Sequence, residues 1–358
     1  MAHPEQRDMQ DTARKLQKWL TARLPQSSDL RISDLSSPSV TGFSSDTLLF
    51  DLERVESGRP KRDSLVIRLE PRGFNVFPSY DVGLQFKIMK ALASTDVPVP
   101  EMLWHEPDPA PLGARFYVMR RLDGWVPSDN PPYNTSGRLF EMTPDERAAV
   151  WWSGLEAMAC VHYADWQHLG LDFLERTEPG TTPLERHLRY YEDYFEWSVA
   201  DRKRYPIIQA GLDWLYRNAP KDEPRRVCWG DSRISNMIFQ NTKCVAVIDW
   251  EMASLGNPVQ DLAWFCMLDC CFSEGLGIAR LEGLPSYEAT AQRWHELTGL
   301  PLEHLRYYEI FALVRFAAIM ARVIRQMKHY EIMPADFEMD VDNLASVTLA
   351  KRLVTAGM

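Results

Sequence analysis

Three polar side chains in the second half of the chain have types and spacing that could bind a divalent cation and move a proton. Asp231 and Asn236 lie five positions apart in one polar loop, and Asp249 directly follows an apolar run. Two apolar runs, at 237–239 and 244–248, are joined by a polar link and predict a β-hairpin, whose two ends lie side by side. The hairpin would therefore bring Asn236 close to Asp249. One carboxylate and one amide are hard oxygen ligands that suit Mg²⁺, with the remaining positions left to phosphate oxygens and water.

The third side chain, Asp231, has the position of a general base. Its carboxylate could accept the proton of an attacking hydroxyl while a metal at Asn236 and Asp249 neutralises a transferring phosphoryl group. Arg233 could stabilise charge on that group, although a salt bridge within the loop explains it equally well. Alone, each residue would more often be a turn or cap residue, and Asp261 is explained as a helix N-cap. The complete set, in the order that protein kinases use, predicts catalysis of phosphoryl transfer.

The sequences of these motifs resemble those of the aminoglycoside phosphotransferase-like family. Trp-Gly-Asp-Ser-Arg-Ile-Ser-Asn at 229–236 and Val-Ile-Asp-Trp-Glu at 247–251 are similar to the family's His-Gly-Asp-x-x-x-x-Asn and Ile-Asp-Trp/Phe-Glu. The segment 256–263 is similar to Gly-Asp-Pro-x-x-Asp-Leu-Ala, in which the second Asp, here Asp261, buttresses the catalytic loop. Within the family, the motifs look most like the branch related to kinase domains fused to acyl-CoA dehydrogenases.

The resemblance implies an α+β fold of the protein-kinase type with two lobes. A smaller N-terminal lobe, over 1–121, would contain a five-stranded antiparallel sheet and a helix or two and would bind the nucleotide. A larger, mostly helical lobe, over 122–358, would carry the catalytic loop and the acceptor pocket. Apolar residues at helical spacing over 8–24 separately predict an N-terminal amphipathic helix docked on the first lobe.

A predicted hairpin tip at 40–47 contains Gly42, Ser44 and Ser45, whose amides and hydroxyls can lie over nucleotide phosphates. With a single glycine, an ordinary turn explains the segment equally well, and the chain has no Walker-type Gly-x-x-x-x-Gly-Lys. The family has a similar glycine-poor loop at this point. The resemblance therefore implies a phosphate-covering loop.

The strand expected over 64–69 alternates so that Val66 and Arg68 share one face. The resemblance implies that Val66 contacts the adenine ring and that Arg68 holds the phosphates, where family members usually have lysine. Arginine keeps the charge and adds a bidentate fork, although a half-exposed surface strand also explains it. On the next predicted helix, at 81–92, Gln85 replaces the glutamate that usually pairs with that lysine. These two departures, at Arg68 and Gln85, leave open a nucleotide-binding pseudokinase or regulatory protein.

The run at 116–124 ends in Asp-Gly and resembles the family's hinge between lobes. The resemblance implies that Met119 backs the adenine pocket. It also implies that the Arg120 carbonyl and the Leu122 amide pair with the adenine edge, which leaves the identity of these side chains free. A buried strand that runs into a turn explains the same run without a ligand.

Composition excludes several other classes of protein. The formal net charge of −10 over 358 residues argues against general nucleic-acid binding, which needs a basic surface. Six cysteines form no Cys-x-x-Cys pair, which argues against a zinc site. The most apolar stretch, at 311–327, is interrupted by Arg315, Arg322 and Arg325, and no early segment has the form of a secretion signal. We therefore expect a cytoplasmic monomer or homodimer with neither a membrane nor a nucleic-acid partner.

These observations predict a phosphotransferase that uses ATP and Mg²⁺ and acts on a hydroxyl group of a small molecule. The resemblance leaves the acceptor open among aminoglycoside-like compounds, amino alcohols and hydroxyacyl-CoA, since the acceptor pocket is variable. A pseudokinase is the main alternative. A metal-dependent hydrolase would need more carboxylates or histidines near Asp249 than the chain displays.

Overall fold

The computed structural model of this chain describes residues 7–38, 46–221 and 223–357. The chain divides into two compact units. The first consists of Met1–Asn75, Ser79–Lys90 and Pro100–Asp123, and the second of Val76–Pro78, Ala91–Val99 and Gly124–Met358. The predicted phosphate loop with Gly42, Ser44 and Ser45 lies outside the described residues.

The first unit combines an antiparallel sheet with two helices. In chain order its elements are α1 (Met9–Arg23), β1 (Ser27–Ile32), β2 (Asp46–Glu56), β3 (Arg59–Leu69), α2 (Val82–Leu92), β4 (Met102–Glu106) and β5 (Phe116–Arg120). The five strands lie in the order β1-β2-β3-β5-β4, and every neighbouring pair is antiparallel. The predicted five-stranded antiparallel sheet is confirmed.

One face of this sheet forms the core of the first unit against α1. Asp8 caps α1 by accepting hydrogen bonds from two amides of its first turn, and apolar residues at helical spacing then turn one stripe of the helix inward. Leu16 and Trp19 of that stripe pack with Phe50 and Ile67 of the sheet in one buried cluster. Burial of this apolar area holds α1 on the sheet.

The opposite face of the sheet holds the side chains that the sequence assigned to the nucleotide. Val66 and Arg68 are only 6% and 7% exposed, so the half-exposed strand considered for Arg68 is wrong. The strand register places Met119 opposite Val66 and Tyr117 opposite Arg68, and directly opposed residues share a face. From α2, the side-chain oxygen of Gln85 accepts a hydrogen bond from the Tyr117 hydroxyl at 3.3 Å.

The second unit is mostly helical, with two small antiparallel ladders. Its elements are α3 (Arg138–Glu141), α4 (Pro144–Tyr163), α5 (Pro183–Ser198), α6 (Pro206–Arg217), β6 (Arg226–Cys228), β7 (Met237–Gln240), β8 (Lys243–Val247), β9 (Ser254–Gly256), α7 (Val259–Phe272), α8 (Tyr287–Thr298), α9 (Leu305–His329) and α10 (Leu344–Thr355). β6 pairs with β9, and β7 pairs with β8. Together the two units make an α+β protein, as predicted. None of the helices in the described ranges has both the length and the apolar character that crossing a membrane requires.

Helix α7 lies at the centre of the second unit. It is buried from Val259 to Cys271, and α9 packs along it, with the rings of Trp264 and Phe316 5.8 Å apart. A helix that is apolar on all sides belongs in a core, so any polar side chain on it must find its partners inside the protein. The buried carboxylate of Asp261 lies on this helix and belongs to the candidate site.

Candidate active site

The predicted hairpin brings the two candidate metal ligands to neighbouring ends of its strands. Met237 is the register partner of Val247 in the β7–β8 ladder. One residue further on, the Ile248 amide donates a hydrogen bond to the Asn236 carbonyl at 3.0 Å. Asn236 and Asp249 therefore lie at adjacent ends of one hairpin, as their spacing predicted.

The carboxylate of Asp231 is buried and held by three donors. Its Oδ1 accepts a hydrogen bond from Trp264 Nε1 at 2.9 Å, while its Oδ2 accepts from Asn236 Nδ2 at 2.7 Å and from Arg233 Nε at 3.1 Å. A carboxylate oxygen has two lone pairs, so both on Oδ2 are used and one on Oδ1 is not. Within the described residues, Oδ1 of Asp231 is thus the oxygen with capacity for a further proton donor.

Two opposing influences act on the pKa of Asp231. Burial raises this pKa above the ordinary value for aspartate, and the negative charge of Asp249 raises it further. The positive charge of Arg233 and the hydrogen bonds from Asn236 and Trp264 lower it, but the net shift is upward. An elevated pKa makes the carboxylate a stronger base, which suits a group that must accept a proton.

Arg233 joins the loop to a second carboxylate. Its Nη1 lies 2.5 Å from Asp129 Oδ2, in addition to the bond from its Nε to Asp231. Burial alone would lower the pKa of the guanidinium, but Asp231, Asp129, Asp249 and Glu251 raise it above its ordinary value. A salt bridge was the alternative explanation of Arg233 in the sequence. The structure contains two, to Asp129 and to Asp231. A role in charge stabilisation stays a prediction.

Asn236 and Asp249 offer oxygens that fit a magnesium ion. The Asn236 Nδ2 donates both to the Asp231 carbonyl and to its carboxylate, at 3.1 and 2.7 Å, which leaves the amide oxygen as an acceptor on the other side. Asp249 has φ of 65°, a left-handed conformation that aspartate adopts more readily than most residues. The described residues include no group of three or more His, Cys, Asp or Glu side chains arranged to hold a metal. An ion shared between this amide, this carboxylate and phosphate oxygens needs no such group.

Asp261 holds the backbone of the loop in place. Its Oδ2 accepts a hydrogen bond from the Trp229 amide at 2.6 Å, and its Oδ1 accepts from the Gly230 amide at 2.9 Å. Gly230 has φ of 92°, and a Cβ there would lie 2.2 Å from the Met252 carbonyl oxygen, so only glycine fits. Helix α7 begins at Val259, before Asp261, so the N-cap explanation is wrong and the buttress implied by the resemblance is confirmed.

A buried histidine completes the partners of Asp261. His162 is 1% exposed, and its Nε2 lies 3.1 Å from Asp261 Oδ2. Trp294 Nε1 donates to His162 Nδ1 at 3.0 Å. Because an indole N–H can only donate, Nδ1 must be the acceptor, and the ring proton on Nε2 faces Asp261. His162 is therefore a structural residue at the end of α4.

The side chains assigned to the nucleotide lie in the first unit. The guanidinium of Arg120 is paired with Glu101 at 2.6 Å and with Asp63 at 2.9 Å, so its side chain is committed to ion pairs. Only the main chain of Arg120 and of Leu122 would then be used for the adenine edge, as the hinge resemblance implies. The nucleotide contacts of these residues, and of Val66, Arg68, Gln85 and Met119, stay predictions.

Two residues of the site were missed by the sequence analysis. Trp264 lies three positions after Asp261, and residues at this spacing share a helix face, so a face turned toward the loop could have been inferred. Asp129 offered no such signal, because it lies in a polar loop 104 residues before its partner Arg233. Its role depends on tertiary structure alone.

Comparison with known families agrees with this geometry. Residues 41–297 match the model of the phosphotransferase enzyme family, APH. The match covers more than half of the chain, and the chain belongs to this family. The resemblance drawn from the motifs around Asp231 and Asp249 is thereby confirmed.

Solved structures define the fold class. A candidate aminoglycoside phosphotransferase from Ralstonia eutropha matches with a TM-score of 0.65 and 22% identity, over 94% of this chain and 98% of that one. A thermostable mutant of aminoglycoside phosphotransferase APH(4)-Ia, in ternary complex with ADP and hygromycin B, matches with a TM-score of 0.57 and 18% identity, over 96% and 99%. At these identities the likeness concerns the fold, which is protein-kinase-like as predicted.

The curated relatives are longer proteins with other names. Acyl-CoA dehydrogenase family member 10 of Mus musculus is 26% identical over 272 residues, which are 73% of this chain and 24% of that protein. The chain thus spans only 24% to 32% of the length of two such relatives. The expected relation to the acyl-CoA dehydrogenase branch is confirmed, since these relatives are named as acyl-CoA dehydrogenases or members of that family.

Replacing Asp261 with alanine should destabilise the second unit strongly. The change removes the acceptor for two buried backbone amides and for the His162 ring, and each unsatisfied buried donor costs about 1–3 kcal/mol. We expect the free energy of unfolding to fall by about 3–5 kcal/mol in urea titrations followed by circular dichroism. Asp336→Ala, at an exposed position of the same unit, should change it by less than about 0.5 kcal/mol. A loss of under about 1 kcal/mol for Asp261→Ala would contradict the buttress.

Replacing Trp264 with phenylalanine should move the pH profile of phosphotransfer. The indole N–H lowers the pKa of Asp231, so its removal raises that pKa further. The acid limb of kcat/KM, below which the base is protonated, should shift to higher pH. Trp151→Phe is the matched control, because its buried indole donates to Thr290 at 2.9 Å away from the loop. An unmoved or lowered acid limb in Trp264→Phe would show that the indole does not tune the base.

Proposed function

We propose that this chain is a kinase that uses ATP and Mg²⁺ to phosphorylate a hydroxyl group of a small molecule. The observation that carries the proposal is the state of Asp231. Its carboxylate is buried and keeps one lone pair on Oδ1, while its Oδ2 accepts a hydrogen bond from the candidate metal ligand Asn236; burial also raises its pKa. A base with these properties suits deprotonation of an alcohol during phosphoryl transfer.

Each residue of the loop has a defined task in the proposed reaction. The acceptor hydroxyl donates its proton to Asp231 Oδ1 while its oxygen forms a bond to the γ-phosphorus. The bond between that phosphorus and the β–γ bridging oxygen breaks, and ADP leaves with the electron pair. Arg233, fixed by Asp129, adds positive charge next to the base. Magnesium bound by Asn236 and Asp249 would neutralise phosphate charge.

The nucleotide side of the proposal uses the first unit. Val66 and Met119 share a face of its sheet and are apolar, as a surface against adenine must be. Arg68 lies on the same face and offers a permanent cation with a fork that matches phosphate oxygens. In this proposal residues 1–121 bind the nucleotide, and residues 122–358 supply the base, the metal ligands and the acceptor pocket.

The acceptor belongs to one of three chemical groups. The relatives named as acyl-CoA dehydrogenase family members make a hydroxyacyl thioester one candidate. The neighbour solved with hygromycin B makes an aminoglycoside another. Amino alcohols complete the panel, since a choline/ethanolamine kinase family protein from Mesorhizobium loti shares the fold with a TM-score of 0.54. A phosphotransfer screen with radiolabelled ATP and Mg²⁺ over these three groups distinguishes them.

One observation favours a second function, a nucleotide-binding regulatory protein. Gln85 replaces the glutamate expected on α2, and its side-chain oxygen accepts a hydrogen bond from Tyr117. A neutral amide cannot form the ion pair that aligns the phosphate-binding cation in protein kinases. ATP binding in calorimetry without transfer to any acceptor, and without ATP hydrolysis, would support this function over the kinase.

Substitutions at the loop test the kinase directly. Asp231→Ala should lower kcat by about 10²–10⁴-fold, the contribution of a positioned general base. Asp249→Ala should abolish detectable transfer, because it removes the only carboxylate proposed as a metal ligand. Asp145→Ala, at an exposed position in the first turn of α4, should leave kcat unchanged. Wild-type turnover in Asp249→Ala would rule out the proposed metal site.

A further inference from the structure

Arg315 is a buried cation on α9 whose side chain contacts the catalytic loop. It lies in the middle of this helix and is fully buried, with 0% exposure. Its Nη2 donates a hydrogen bond to the Gly230 carbonyl at 3.1 Å, across 85 residues of sequence. Gly230 directly precedes Asp231, so this bond acts on the backbone from which the base projects.

Aromatic rings surround the guanidinium of Arg315. Its Cζ lies 4.5 Å from the centre of the Trp264 ring, 4.7 Å from Tyr191 and 5.3 Å from Phe311. These distances are within the range of cation–π attraction. Among the described residues, no carboxylate pairs with Arg315, and its Nε and Nη1 make no hydrogen bond.

Such an environment is a costly place for a charge. A buried cation without a carboxylate partner loses its hydration and recovers only part of it from one hydrogen bond and three rings. A methionine of similar shape would pack between the same rings without that loss. Departures from the rules of core packing are found most often where a site requires them. Two of the groups that Arg315 contacts, Gly230 and Trp264, belong to the candidate site.

We propose that Arg315 is a positioning residue for the catalytic base, an inference that rests on the proposed function. One guanidinium holds two groups that determine where Asp231 lies. The first is the Gly230 carbonyl, which sets the backbone before the base. The second is the Trp264 ring, whose Nε1 donates to Asp231 Oδ1 at 2.9 Å. Among the described residues, no hydrogen bond or ion pair joins Arg315 to Asp231, so Arg315 acts through these two groups.

Loss of Arg315 frees both groups together. The Trp264 ring loses the cation against its face, and the Gly230 carbonyl loses its donor, so Asp231 can shift relative to the acceptor. A displacement of about 1 Å at a reacting group is enough for a loss of about 10²-fold in rate. A residue that only filled space would change the stability of the fold and leave the turnover of the folded fraction unchanged.

The kinetic test uses Arg315→Met and Arg315→Lys in the full-length protein. We expect kcat to fall by about 10–100-fold, with the KM for ATP within about twofold of wild type, because the nucleotide contacts are left intact. Arg325→Met is the matched control, since that guanidinium on the same helix also donates to a backbone carbonyl, of Ser198, and should leave kcat unchanged. If Arg315→Met does not fold, Arg315→Lys decides the result. Wild-type kcat in a folded variant overturns the proposal.

A second measurement is independent of catalysis. The chain has 12 tryptophans, and loss of one indole N–H signal in Trp264→Phe assigns that of Trp264 in ¹⁵N-resolved NMR spectra. In both Arg315 variants this signal should shift, and its exchange with solvent should accelerate, while Arg325→Met leaves it in place. An unchanged Trp264 signal overturns the positioning role. If the wild-type protein transfers no phosphoryl group, the proposed function fails, and the indole signal alone still tests Arg315.

Discussion

The site depends on one physical constraint: a carboxylate must stay ionised and basic while it is buried. Burial raises the pKa of Asp231, so the folded protein binds this proton more readily than the unfolded chain does. Between the ordinary pKa of aspartate and the raised one, the contribution of Asp231 to the free energy of unfolding therefore falls as the pH rises. At neutral pH the fold bears this cost. The donors Trp264, Asn236 and Arg233 limit it, and they also fix which oxygen is left to accept a proton.

Helix α7 meets this constraint from inside the core. Asp261 binds the loop backbone at Trp229 and Gly230, while Trp264, one turn later, binds the Asp231 carboxylate. A single rigid element thus sets both the main chain and the side chain of Asp231, the proposed base. Because α7 is buried on every side, its position is maintained by packing, and α9 adds the Arg315 cation behind it. The geometry of the candidate site is a property of the helical core as much as of the loop.

The sequence predicted the local parts of this arrangement well, because their signals are local. Two apolar runs joined by a polar link predicted the hairpin, and strand alternation placed Val66 and Arg68 on one face. The order of Asp231, Asn236 and Asp249 indicated the chemistry. Partners from distant segments could not be predicted, since periodicity shows which face is buried but not what packs against it. Asp129 and Arg315 are both of this kind.

Asp261 shows a different limit of sequence interpretation. It was open to explanation as an N-cap, but the Asn257 side chain already accepts the hydrogen bond from the Val259 amide at 3.0 Å, and the helix begins there. The Asp261 carboxylate is therefore available to accept hydrogen bonds from the backbone of the loop. The helix starts three residues earlier than it would with Asp261 as its N-cap, and this small shift, within the usual uncertainty of boundaries inferred from sequence, separates a cap from a buttress.

The ionisation of Asp231 can be measured directly. NMR spectra of protein with ¹³C-labelled aspartate carboxyl groups, compared with those of Asp231→Asn for assignment, would follow this carboxyl as a function of pH. We expect Asp231 to titrate with a pKa above the ordinary aspartate value of 3.8. A pKa at or below that value would rule out a buried carboxylate made more basic by its surroundings, because its donors would then stabilise it too well for the proposed role as a base.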